Sequence, residues 1–66
     1  MPKSTRDWAK RKLDEACNNI DWSGKHVNEV AEKYKEHHPE ISDGLELVLV
    51  SLLQTQKFIE EIKQSF

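Results

Sequence analysis

The chain has 66 residues, a single cysteine, a mean hydropathy of -0.79 and a net charge of -2. That length makes one domain, which buries only about 60% of the surface its unfolded form exposes. An internal disulfide is excluded, no run reaches the roughly 18 apolar residues of a membrane span, and a domain this small has little volume for an enzyme pocket.

The opening stretch, MPKSTRDWAKRK, has no apolar h-region and predicts no secretory signal. With one cysteine, the expected setting is reducing and cytoplasmic. Residues 1–12 carry five cations against Asp7, +4 in all, whereas residues 13–66 sum to -6. A basic end on an acidic body can steer an anionic partner. Lys3, Arg6 and Lys10 fall within an arc of about 60° on a helical wheel and are the candidate anion-binding set.

Helix 1 is expected over residues 5–19. Ser4 suits an N-cap, with Asp7 three residues on. Ala9, Leu13, Ala16, Cys17 and Ile20 form one apolar stripe, with Trp8 outside it. DWSG at 21–24 predicts a turn. Its Trp22-Ser23-Gly24 triplet resembles the Trp-x-Gly turn of small helical-hairpin secretion substrates, and that resemblance would imply a bend here. Those proteins have two longer helices, and Pro39 departs from the pattern, so membership is not assigned. Helix 2 is expected over 24–37, with Val27, Val30, Ala31 and Tyr34 on one face and Pro39 as its stop.

VNEVAEKYKEHHPEIS resembles the first helix and turn of a DNA-binding helix-turn-helix. DGLELVLV stands where the recognition helix would be, and its acids are the wrong chemistry for a major groove. Ile41 is expected to plug the core from the connection.

Helix 3 is expected over 44–65, with Asp43 as N-cap and Glu46 completing a capping box. Leu45, Val48, Leu49, Leu52, Ile59, Ile62 and Phe66 make its core stripe. Leu47, Val50, Gln54 and Phe58 make a second stripe nearly opposite, and they are the candidate partner-binding residues. One polar residue in such a stripe favours a specific helix pairing.

Chemistry-bearing side chains are sparse. His37 and His38 are adjacent, so their imidazoles point about 100° apart and do not converge on a metal. Cys17 on an apolar stripe behaves as a small hydrophobe rather than a nucleophile. Gly24 and Gly44 are isolated and form no phosphate loop.

The sequence therefore predicts a small all-α, three-helix domain with a long C-terminal helix, dimeric, without cofactor or metal. The expected role is a non-enzymatic protein–protein interaction module: a small regulator, inhibitor or assembly factor of a bacterium, phage or mobile element. Its expected partner is a second copy, another protein, or both. The competing readings are a nucleic-acid-associated protein using the basic first helix, and a purely structural homodimer.

Overall fold

The computed structural model describes residues 3–66, with side chains from Ser4 onward. Among these residues there are two helices and no strand. Helix α1 spans Lys3–Tyr34 and α2 spans Pro39–Lys63. The helices run antiparallel, because contacts from α1 meet falling positions in α2: Asp14 meets Lys63, Cys17 meets Gln56, and Gly24 faces Leu49. The architecture is a helical hairpin, not the expected three-helix domain. At 1.5 Å per residue α1 is about 48 Å long, and the Cα trace measures 54 × 15 × 9 Å. Its radius of gyration is 15.6 Å, against about 11 Å for a compact chain of this length.

The first correction concerns residues 20–24. The expected turn at DWSG is helical, and helices 1 and 2 of the sequence reading are one helix. The reason is a seam that passes through this stretch without a break. Leu13, Cys17, Ile20, Gly24, Val27 and Ala31 recur at spacings of four, three, four, three and four. All six are buried or half-buried. This is the a/d pattern of a two-helix coiled coil. The polar residues that suggested a turn, Asn18, Asn19, Asp21 and Ser23, all point off the seam and are exposed. Glycine inside a helix costs about 0.5–1 kcal/mol relative to alanine, too little to end a helix held along its whole length. Ser4 accordingly lies within α1 and does not cap it.

Helix α2 supplies the matching line. Ser42, Leu45, Leu49, Leu52, Gln56, Ile59 and Lys63 alternate at spacings of three and four, and each is buried or half-buried. The expected core stripe shared most of this line. Val48 and Ile62, which it also included, lie beside the seam and are exposed, as are Val30 and Tyr34 of α1. Near the turn, Ala31 and Ser42, each 4% exposed, are the two most shielded of the described residues.

The connection is residues 35–38, and α1 stops at Tyr34, short of the expected 37. Pro39 does not end a helix; it begins α2, five residues before the expected start. A proline at the first helical position sacrifices only an N–H that would have no intrahelical partner. His38, at the N-cap, has φ -140 and ψ 67, outside the α region as a residue before proline must be. Its carbonyl accepts from the N–H of Ile41 at 3.0 Å and of Ser42 at 3.3 Å, opening the α2 ladder. Asp43 therefore sits inside the helix and caps nothing. Ile41 is exposed and is no plug.

Gly24 gives a direct test of the continuous helix. A Cβ there would meet the Leu49 Cδ2 at 3.8 Å, ordinary contact distance. Gly24→Ala is expected to stabilise the hairpin by about 0.5–1 kcal/mol, read as a higher urea midpoint at equal chain concentration. A lower midpoint would mean that the chain turns there.

Candidate functional site: two unlike flanks and an apolar outer stripe

The seam divides the hairpin into two broad flanks and two outer ridges. On one flank, Asp14 and Asp21 of α1 face Glu46, Leu53 and Glu60 of α2. The Lys63 ammonium donates to the Asp14 carboxylate and lies 3.5 Å from Glu60. The Gln56 amide donates to the Cys17 carbonyl at 2.8 Å and to the Asp21 carboxylate at 2.7 Å. Gln56 is thus a polar seam residue whose side chain ties the helices at one level. An open groove runs along this flank beside Cys17 and Gln56.

Two groups here titrate away from their ordinary values. The hydrogen bond to Asp14 holds the Lys63 pKa above the usual lysine range. Partial burial, aided by the nearby Glu60 carboxylate, pushes the Cys17 thiol up. A raised thiol pKa lowers the thiolate fraction at neutral pH, which is the opposite of what a nucleophile requires.

The other flank has a different composition. Its α1 positions are Ala9, Ala16, Ser23 and Val30, and its α2 positions are Ile41, Val48, Thr55 and Ile62. None carries a charge. Val30, Ile41, Val48 and Ile62 remain 41–46% exposed there. The segment-by-segment sequence reading missed this flank. Its signal was present as positions one residue before each first seam position of the heptad, in both helices, but it becomes visible only when the seam is followed through residue 24.

The predicted partner-binding residues lie on the outer side of α2, away from α1. Leu47 is 71% exposed, Phe58 62% and Val50 49%, with Gln54 exposed between them. Phe58 borders the uncharged flank, and Val50 borders the charged one, where Leu53 is 64% exposed. The back of α1 carries two further exposed aromatics, Trp8 and Trp22. Lys25 sits 4.6 Å over the Trp22 ring, and the His26 ring lies beside it at 6.4 Å.

Of the predicted anion-binding set, Arg6 and Lys10 have described side chains. Arg6 is exposed, Lys10 is half-buried against the seam, and the Lys3 side chain lies outside the described residues. Lys12, beside them, is 3.5 Å from Glu15. His37 and His38 stand at the turn, where His38 packs on the Tyr34 ring at 5.7 Å and lies 3.6 Å from Glu40. Among the described residues no three His, Cys, Asp or Glu side chains converge on a metal position. No helix among them is long and apolar enough to cross a membrane.

No family model, curated protein or solved structure matches this chain.

The seam and the outer stripe differ in what a truncation should cost. Leu52→Ala opens a gap in the seam and is expected to cost about 2 kcal/mol or more, a large part of what so small a domain has. Phe58→Ala is expected to stay within about 0.5 kcal/mol at a concentration where the chain is monomeric, as for an exposed site. Denaturant titrations of the two variants check this, and equal losses would place Phe58 inside the fold.

Proposed function

We infer that the chain is a non-enzymatic protein–protein interaction module that works by burying the exposed apolar surface of α2 against another chain. The observation that carries this reading is the outer stripe of Leu47, Val50 and Phe58, with Leu53 beside it. These are large side chains left in water by a hairpin that uses only one face of each helix. Scattered single exposed apolar residues are ordinary, but contiguous ones mark contact surfaces. An apolar stripe along one helix suits pairing with a helix of the partner, read at spacings of three and four.

Dimerisation belongs to the same reading, since a thin domain gains stability by burying part of its exposed apolar surface against its own copy. The enzymatic reading draws less support: the Cys17 thiol is pushed toward its neutral form, and Asp21, Gln56 and Lys63 are engaged between the two helices. The nucleic-acid reading draws less support, because Lys10 faces the seam and Lys12 is paired, which breaks up the phosphate-binding stripe it requires.

Site-directed photo-crosslinking in the native cell tests the module reading. A benzophenone side chain placed in turn at residues 47, 50 and 58, and for comparison at the charged positions 14 and 60, should give covalent adducts from the first group and none from the second. Adducts from neither group would overturn the reading. The mass of each adduct identifies its partner as a second copy or a different chain.

A further inference from the structure

We propose that two copies of the hairpin pack antiparallel through the uncharged flank into a four-helix bundle, leaving the outer stripe of α2 free; this rests on the module reading and names its first partner. The argument has three parts: composition, area and charge.

Both helices build the uncharged flank together, and none of its positions carries a charge. Three of its four α1 positions are small, Ala9, Ala16 and Ser23, and its α2 positions are branched: Ala16 and Ser23 lie across the seam from Thr55 and Val48. Small residues on one helix allow close approach of a second layer, and the branched residues beside them supply the surface to bury. The opposite flank has an apolar stretch at Gly24, Leu49 and Leu53, but a second layer there would also bury the carboxylates of Asp14, Asp21, Glu46 and Glu60, which disfavours it.

The area fits. The chain exposes 5304 Å², whereas a compact chain of 7.7 kDa exposes about 4,300 Å². The excess, about 1,000 Å² per copy, is close to the roughly 800 Å² that each partner contributes to a standard interface.

Charge sets the direction. At the open end of the hairpin, residues 3–12 sum to +4 and residues 55–66 to zero. At the turn end, residues 26–48 carry six acids and two lysines, -4. Parallel packing would put like ends together along a rod some 54 Å long. Antiparallel packing places each basic end beside the partner's acidic turn. With the flanks facing, a two-fold axis across the rod lays α1 over its own copy and α2 over its own copy, so every neighbouring pair of helices is antiparallel. Arg6, at the start of α1, then lies toward the acidic turn end of the second copy.

Sedimentation equilibrium on the full chain tests this. The expected result is a dimer that weakens as salt rises, because the end charges are screened. Ser23→Arg, on the uncharged flank, should raise the dissociation constant about 100-fold or more, the scale of burying one unpaired polar group. Asn18→Arg, exposed beside the groove of the charged flank, should leave it unchanged. Ser23 is exposed in the single hairpin, so circular dichroism should show an intact helical signal. Thr55→Arg repeats the test from α2 if it does not.

Orientation is read in a Cys17→Ala background by mixing Lys12→Cys chains with Lys33→Cys chains and adding a short bis-maleimide. Antiparallel packing joins unlike chains, and like-with-like products would overturn the proposed direction. A chain monomeric at every concentration, or a dimer indifferent to both Ser23→Arg and Thr55→Arg, overturns the proposal. Photo-crosslinks from residues 47 and 58 to a different chain would leave the module reading standing in that event.

Discussion

Everything in this structure hangs on one line of contact between two helices. From Leu13 to Ala31 on α1 and from Ser42 to Lys63 on α2, residues at alternating spacings of three and four meet along a single seam. No second layer backs it, so most seam residues are only half-buried and each contributes part of the roughly 1.5–3 kcal/mol of a fully buried aliphatic side chain. Most of the stability of either helix comes from packing its apolar face rather than from propensity. Each exists because the other covers its apolar stripe. Gln56 adds specificity to this line. Its amide reaches the Cys17 carbonyl and the Asp21 carboxylate, so sliding one helix along the other would strand a polar group. The Lys63–Asp14 pair reinforces the same register from the flank.

The surface follows from the seam. A hairpin that spends one stripe of each helix on its partner leaves the rest of both helices in water, and here much of that remainder is apolar. Leu47, Leu53, Phe58, Trp8 and Trp22 all face outward. Their placement is uneven, because the acids gather on one flank and the other carries none. A structure this thin has no interior in which to hide such a difference. Its two flanks are therefore two chemically distinct surfaces, one charged and one not.

The helical class, the place of Cys17 on the apolar stripe, the exposure of Leu47, Val50 and Phe58, and most of the α2 seam were legible in the sequence. They rest on periodicity within one segment, which a wheel captures. The helix count was not legible by the same means. Asn18, Asn19, Asp21 and Gly24 weaken a helix locally, and Pro39 commonly follows one, so local propensity argued for a break at 21–24 and a stop before 39. Tertiary contact outweighs propensity at the first place: Ile20, Gly24 and Val27 keep the seam facing α2, and a helix interrupted there would lose register with Leu49. At the second, proline is favourable as an opening residue, a role that the sequence pattern leaves open between the end of one helix and the start of the next. Val48 and Ile62 fall on the core stripe of a straight helix of period 3.6, which is wide, while a paired seam of period 3.5 narrows it and leaves both at the edge.

The central claim is that α1 is one uninterrupted helix through Trp22-Ser23-Gly24. A distance between spin labels at residues 12 and 33 tests it most directly. Continuous helix places the two Cα positions about 32 Å apart, at 1.5 Å per residue. Pulsed electron–electron resonance on the doubly labelled chain, with Cys17 replaced and the sample diluted with unlabelled chain, should give one narrow distribution centred near that separation after allowance for the label arms. A distribution centred well below it, as a chain folded back at 21–24 would produce, would contradict the account.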